Sequence, residues 1–242
     1  MLRKWEKLPY EMQNPEVRKY YDILKKKQFS LFLKRVIDIL VSGFLIVLLS
    51  PVFLVMAIAI KIDSPGPVFY RQVRVTRYGK KFRIFKFRSM KVRQDKGLSL
   101  TVNNDTRVTK VGHYIRKYKI DEISQLLDVF RGTMTFVGAR PEVPKYVDCY
   151  TDEMMATLLI PAGITSKASI YYRNESELLE GSDDVEKTYL ETVLPDKMKY
   201  NLEELKNFSI ANDIKTIFLT ILAVEGKAMG VKIQEEKSKV EK

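Results

Sequence analysis

The stretch IDILVSGFLIVLLSPVFLVMAIAI, Ile37 to Ile60, decides how the rest of the chain is arranged. A membrane-spanning helix takes about 20 mostly apolar residues, and the run from Ile39 to Ile60 reaches that length. Ser50-Pro51 interrupts it midway. Proline removes a helical hydrogen bond and its ring clashes with the preceding turn. The flanks are basic on both sides: Lys25, Lys26, Lys27, Lys34 and Arg35 precede the run, and Lys61, Arg71, Arg74, Arg77, Lys80 and Lys81 follow it. Positive flanks stay on the cytoplasmic side, so a single span would put one cluster on the wrong face. A re-entrant pair that dips in, bends at Ser50-Pro51 and returns satisfies both flanks. A kinked single span is the other arrangement these residues allow.

Working outward, Arg35 and Asp38 lie three apart at the mouth of the run, a spacing that lets them pair on one helix face. An ionisable residue at that depth is a functional candidate, with simple charge pairing as the plainer reading. Upstream, residues 1–28 read as a basic helical appendage. Asn14-Pro15-Glu16 is an N-cap followed by proline at the first helical position. Val17, Tyr20, Tyr21 and Leu24 then share a face, and Lys25–Lys27 complement the helix dipole in the last turn.

Downstream, Asp63-Ser64-Pro65-Gly66-Pro67 ends the helical run. Val68–Val73 and Lys81–Arg88 read as two strands of a hairpin turning at Tyr78-Gly79-Lys80. Met90–Val102 reads as a polar loop, followed by the turn residues Asn103-Asn104-Asp105-Thr106-Arg107. Val111–Ile120 suits a helix, and Asp121-Glu122 opens another that Gly132 ends. Thr133–Val137 reads as a strand, Gly138–Glu142 as a loop, and Thr151–Leu159 as a helix broken by Pro161–Thr165. Ala168–Tyr172 reads as a strand. Helices follow over Glu186–Val193 and Lys197–Phe208, with Leu194-Pro195-Asp196 as a boundary, and Ile214–Leu222 supplies a last apolar face. The expected fold class is α/β, of the α+β kind: mostly helical with a small β-hairpin or sheet. It divides into the appendage 1–28, a re-entrant anchor 29–62, a domain 63–226 and a charged, disordered tail 227–242.

Composition narrows the chemistry. A net charge of +12 favours anionic partners: lipid headgroups, phosphorylated substrates or nucleic acid. Nothing here resembles a nucleic-acid module, so nucleic acid ranks lowest. Cys149 and His113 are each the sole residue of their type, which excludes an intrachain disulfide and a cysteine cage and disfavours a histidine-rich zinc site. No Gly-rich loop with its lysine supports a P-loop ATPase.

The candidate chemical centre is Asp121-Glu122. A helix start stabilises both carboxylates, and adjacent acids can divide attack and cation binding between them. Acidic residues are also common in first helical turns simply as dipole partners. The basic company of Lys86, Arg88, Arg107, Arg116 and Arg140 strengthens the chemical reading, since phosphoryl transfer needs magnesium and cationic side chains to neutralise phosphate oxygens.

Taken together, Lys34-Arg35…Asp38, the Ser50-Pro51 break, Phe69-Tyr70-Arg71-Gln72, Lys86–Met90, Asn104-Asp105…Arg107, Arg116-Lys117…Asp121-Glu122…Gln125-Leu126 and Val137-Gly138…Arg140-Pro141-Glu142 resemble the bacterial sugar transferase family, the monotopic polyprenyl-phosphate phosphoglycosyl transferases. The resemblance runs from about Phe32 to Thr220. It implies transfer of a sugar-1-phosphate from a nucleotide diphosphate sugar, commonly a UDP-sugar, to undecaprenyl phosphate through a phospho-aspartyl intermediate, with Mg2+ as cofactor and UMP released.

By motif position, the resemblance implies Asp121 as nucleophile and Glu122 as metal ligand, with Asp121 beside it. Lys86, Arg88, Arg107, Arg116, Arg140, Glu142, Thr165 and Asp196 are implied as phosphate- or substrate-binding residues. Arg35, Asp38, Ser50 and Pro51 belong to the anchor. The resemblance also favours the re-entrant hairpin at the cytoplasmic membrane, with the catalytic domain facing the cytoplasm; a homodimer is left open. The chain departs from the family's usual proline at Ser124 and Ala139, serine at Lys119, acidic residue at Thr133 and glycine at Ser166. These departures keep a non-catalytic membrane scaffold, and a nucleotide-sugar hydrolase, open beside the transferase.

Overall fold

The computed structural model describes residues 2–91, 107–173, 175, 179 and 184–224. Apart from Met90, Lys91 and Arg107, the expected Met90–Val102 loop and Asn103–Arg107 turn cluster lie outside the described residues, as does the tail over 227–242. The chain is mostly helical, and its β-structure, among the described residues, consists of short two-stranded pairings.

Helix α1 (Pro15–Lys26) begins as its sequence dictates: the Asn14 side chain accepts from Val17 N–H, with Pro15 in the first turn. Its Val17, Tyr20, Tyr21 and Leu24 are buried on one face. They join Leu8, Met12, Leu159, Leu202 and Leu205 in one buried cluster, so the stretch read as an appendage is part of the core.

Helices α2 (Gln28–Leu48) and α3 (Ser50–Asp63) meet at Leu49 with a bend of 60°. No single described helix is long and apolar enough to cross a membrane; the bent pair together has that length and composition. Pro51 sits in the first turn of α3, where its missing N–H costs nothing, and Ser50 Oγ donates to Val47 O across the break at 2.8 Å. The residues α2 buries are Lys34, Asp38 and Ser42, spaced by four on one face. Phe29, Leu40, Phe44 and Val47 point away from the protein. The helix is inverted relative to a surface helix in water, which hides its apolar stripe.

Strands β1 (Phe69–Tyr70) and β4 (Lys86–Phe87) pair antiparallel, as do β2 (Val73–Thr76) and β3 (Lys80–Arg83). This is the expected hairpin, divided into two short ladders around Arg71-Gln72 and Ile84-Phe85; Ile84 N–H still donates to Gln72 O. Helix α4 (Lys110–Lys117) is capped by the Thr109 hydroxyl. A 3-10 turn over Ile120–Gln125 carries Asp121 and Glu122 and leads into α5 (Leu126–Arg131). Gly132 ends α5 at φ 83°, a left-handed conformation that glycine adopts without strain.

Strand β5 (Met134–Val137) pairs in parallel with β6 (Ala162–Thr165), so the segment expected only as a helix break is a strand. Gly163 permits that pairing: a Cβ there would lie 2.2 Å from the Gly138 backbone. A short helix α6 (Pro144–Val147) and a 3-10 segment (Met154–Leu159) connect the two strands. Residues 167–171 form helix α7 (Lys167–Tyr171), not the expected strand. Ser166 Oγ accepts from Ser169 N–H and starts the helix, so the local cap overrides the β-propensity of Ile170, Tyr171 and Tyr172. Helix α8 (Val185–Thr188) passes through a π-helical turn (Tyr189–Val193) into α9 (Leu194–Lys206), and Pro195 lies in the first turn of α9 rather than between helices. Helix α10 (Ile210–Val224) closes the described chain.

Candidate active site

Three stretches remote in sequence meet at the acidic pair. The hairpin supplies Lys86 from β4, the 3-10 turn supplies Asp121 and Glu122, and the loop after β5 supplies Arg140. Lys86 Nζ lies 2.7 Å from Asp121 Oδ2 and 3.9 Å from Glu122 Oε1. Arg140 forms a two-pronged ion pair with Glu122, one guanidinium nitrogen on each carboxylate oxygen. Asp121 is buried and Glu122 mostly covered, while Lys86 and Arg140 are partly open to solvent.

Electrostatics keep Glu122 ionised. Burial works against its charge, but Arg140 and then Lys86 outweigh burial and hold its carboxyl down to about 2. The field of Glu122 correspondingly raises the proton affinity of the Arg140 guanidinium above its ordinary value.

Local structure explains why the pair is presented rather than absorbed into a helix. Lys119 adopts φ 56° and offers no side-chain cap, and Glu122 N–H closes onto Lys119 O at 3.3 Å. Ser124 is fully buried; its hydroxyl donates to Asp121 O at 3.0 Å and Phe85 O at 3.1 Å. It therefore ties the acidic turn to the hairpin.

Helix α2 grips the two segments that follow the acidic turn, α5 and β5. Arg35 donates to Val129 O at 2.6 Å and Phe130 O at 2.8 Å, carbonyls in the last turn of α5 where a cation meets the negative helix end. Asp38 accepts from the Thr135 hydroxyl at 2.7 Å and Phe136 N–H at 3.3 Å. Arg35 and Asp38 thus bond to the domain instead of forming the expected pair with each other. Lys34 makes a buried ion pair with Asp213 of α10 at 2.5 Å.

Other residues implied by the resemblance sit apart from the pair. Arg88 is buried and donates to Pro65 O and Ser64 O at 2.7 Å, closing the end of α3. Arg116 is half-buried in the last turn of α4. The Arg107 carbonyl accepts from Lys91 N–H beside the Met90–Val108 bridge. The Thr165 hydroxyl pairs with that of Thr220 at 2.7 Å. Asp196 accepts from the Tyr172 hydroxyl and lies 3.2 Å from Lys199. Glu142 is buried in a neighbouring cluster with Tyr189, Lys197 and Arg74. Reading the sequence missed Lys197, Tyr189 and Arg74; the signal available for Lys197 was its place directly after Leu194-Pro195-Asp196.

The donor set suits a magnesium ion. Asp121 and Glu122 offer adjacent hard oxygens, and Glu122 is held as a carboxylate. Among the described residues no cluster of three or more His, Cys, Asp or Glu has metal-binding spacing. Magnesium is commonly held by only one or two carboxylates, with waters and substrate phosphates completing its shell.

The profile described as bacterial sugar transferase matches residues 29–227. The chain is 37% identical over 194 residues to UDP-glucose:undecaprenyl-phosphate glucose-1-phosphate transferase of Escherichia coli (strain K12), which covers 78% of this chain and 39% of that protein. It is 35% identical over 197 residues to UDP-N-acetylgalactosamine-undecaprenyl-phosphate N-acetylgalactosaminephosphotransferase of Aeromonas hydrophila, covering 80% of this chain and 44% of that protein. It is 33% identical over 192 residues to UDP-glucose:undecaprenyl-phosphate glucose-1-phosphate transferase of Caulobacter vibrioides, covering 78% of this chain and 68% of that protein. The chain therefore spans less than half the length of the first two relatives and about two thirds of the third. With the match running through α2, α3 and the acidic turn, the chain belongs to the bacterial sugar transferase family.

Proposed function

We propose that this chain transfers a sugar-1-phosphate from a UDP-sugar to undecaprenyl phosphate at the cytoplasmic membrane, and so starts the assembly of a lipid-linked glycan. The observation that carries this reading is the compact charge arrangement of Lys86, Asp121, Glu122 and Arg140 in a member of this family. The family relatives named above act on UDP-sugars and undecaprenyl phosphate.

Asp121 is the nucleophile. A carboxylate oxygen attacks the phosphorus that bears the sugar, and the bond from that phosphorus to the oxygen shared with UMP breaks. UMP leaves with the electron pair. An oxygen of the lipid phosphate then attacks the same phosphorus, the aspartyl–phosphorus bond breaks, and the Asp121 carboxylate is restored. Lys86 and Arg140 supply positive charge beside the phosphate oxygens, where fixed cations are most effective. Asp121 and Glu122 would hold magnesium, which when bound neutralises charge on the diphosphate.

The anchor is a re-entrant pair, α2 and α3, both of whose ends face the cytoplasm. The support is the inverted face of α2 together with the 60° bend. A helix that hides Lys34 and Asp38 and exposes phenylalanines and leucines fits lipid as its solvent. Arg35 and Asp38 then hold the acidic turn at the depth of the lipid phosphate.

The test is a radiolabelled UDP-sugar panel with magnesium, with and without undecaprenyl phosphate. Multiple-turnover UMP release that depends on the lipid acceptor, abolished in Asp121→Asn, is the expected result. Sustained release without lipid acceptor, beyond the one equivalent that loading Asp121 yields, makes the chain a nucleotide-sugar hydrolase, and no release across the panel makes it a non-catalytic scaffold.

A further inference from the structure

The loop that carries Arg140 borders a second charged cluster, of which only Glu142 has been given a part in the transfer reaction. Glu142 Oε1 accepts from the Tyr189 hydroxyl at 2.8 Å and lies 3.6 Å from Lys197 Nζ. Glu142 Oε2 lies 4.0 Å from Arg74 Nη1, and that same nitrogen donates to Pro141 O at 3.1 Å. Lys197 Nζ also donates to Glu175 Oε2 at 2.8 Å and to the Tyr189 hydroxyl at 3.3 Å.

Lys197 is only 5% exposed, and lysine is almost never buried without anionic partners. It sits between two carboxylates from different parts of the chain. The π-helical turn (Tyr189–Val193) ahead of α9 brings Tyr189 to the same place, and such turns recur at functional sites.

Arg140 feels these carboxylates as well. It is paired with Glu122, yet it stands two residues before Glu142 in the same loop, and the two line one small cavity. Two anionic groupings therefore compete for one arginine. Lys197 bonds to the second grouping and neutralises much of it; without that ammonium, Glu142 would keep Arg74 at 4.0 Å and the Tyr189 hydroxyl, and Arg140, in the same loop, is the neighbouring cation that could be drawn across. A buried carboxylate that loses its partner draws strongly on whatever cation remains.

We propose that Lys197 is a positioning residue, which satisfies Glu142 and Glu175 so that Arg140 stays on Glu122, facing the phosphate chemistry. The inference rests on the transferase reading of the acidic pair. It sets Lys197 apart from a plain core residue in one respect: the defect left by its removal is one of charge balance, and taking away an anion repairs it.

The experiment compares wild type, Lys197→Met, Lys197→Arg and Lys197→Met/Glu175→Gln as full chains in lipid nanodiscs, with UDP-sugar KM and kcat measured separately. Lys197→Met is expected to raise KM about tenfold with a smaller change in kcat, Lys197→Arg to stay within about threefold of wild type, and the double variant to recover most of the loss. Lys197→Gln, which keeps a hydrogen-bonding side chain without the charge, takes the place of Lys197→Met if the latter does not fold. An unchanged KM in the neutral variant, or a double variant no better than the single, overturns the proposal. A structure of the neutral variant decides the matter without turnover. Arg140 swung toward Glu142 and Glu175 supports the proposal, and Arg140 still paired with Glu122 overturns it. A wild-type chain that releases no UMP would instead count against the transferase reading alone, leaving the Arg140 position to judge the role of Lys197.

Discussion

Burial pushes the Glu204 carboxyl up to about 7, despite bonds from Lys167 N–H and the Thr216 hydroxyl that favour its charged form. Its Oε2 has no hydrogen-bond partner among the described residues, and neither does the buried Asn201 Oδ1 on the wall of the same small cavity. The folded state therefore keeps a proton that the unfolded chain releases near 4.5. Stability from this group is fully present below about 4.5 and is lost as pH rises to about 7. Glu204→Gln is expected to flatten that decline and to stabilise the fold by about 2 kcal/mol at pH 8, read from denaturant or thermal melts at pH 5 and pH 8. Equal melts of the two proteins at pH 8 would contradict it. Glu122 works in the opposite window: its depressed carboxyl contributes stability above about 4.5, which is lost as pH falls toward about 2. At this scale the sequence singled out Asp121, Glu122, Lys86 and Arg140 through local motifs, and the fold brings the four side chains together. Arg88 was not legible. It lies two residues after Lys86 and would share its face in a longer strand, but β4 stops at Phe87 and Arg88 turns to the end of α3.

Among the elements, α2 shows how a polar stripe can dock an apolar helix. Lys34 and Asp38 recur at a spacing of four, and each finds its partner far along the chain: Asp213 for Lys34, Thr135 and Phe136 for Asp38. Removing one member of a buried ion pair leaves the other uncompensated. Lys34→Met should therefore destabilise the fold by about 3 kcal/mol, and Lys34→Met/Asp213→Leu should recover most of that. Thermal melts in detergent or nanodiscs measure both; a double variant as weak as the single one would show that the pair is not what holds α2 to α10. The length of the apolar run and its break were readable in the sequence, since both follow from composition and one proline. The partners were not, because contacts spanning 97 to 179 residues leave no periodic trace. The helix at Lys167–Tyr171 escaped for a different reason: three residues of strong β-propensity were outweighed by one serine cap.

For the whole molecule, residues 2–24 pack into one buried cluster with Val75 and Tyr78 of the hairpin, the Met154–Leu159 segment and Leu202 and Leu205 of α9. The sequence showed this segment as a helical appendage and left its partner open, because a half-apolar helix looks the same whether its face meets lipid or protein. The re-entrant arrangement makes a direct topological prediction. In a Cys149→Ser background, needed because the native thiol is exposed, single cysteines placed before Phe32 and after Asp63 should react with membrane-impermeant reagents from the same side. Opposite-side labelling would establish a crossing helix instead. In the proposed arrangement such an anchor would bring the acidic turn to the membrane surface, where a lipid phosphate and a soluble nucleotide could meet one carboxylate in succession.

That carboxylate is where the account stands or falls. The most direct measurement is peptide mass mapping of the enzyme after reaction with magnesium and a UDP-sugar in the absence of undecaprenyl phosphate. The account predicts a sugar-phosphate adduct on the peptide containing Asp121, absent in Asp121→Asn and discharged when the lipid phosphate is added. UMP release with no adduct on Asp121, or full turnover by Asp121→Asn, would contradict it.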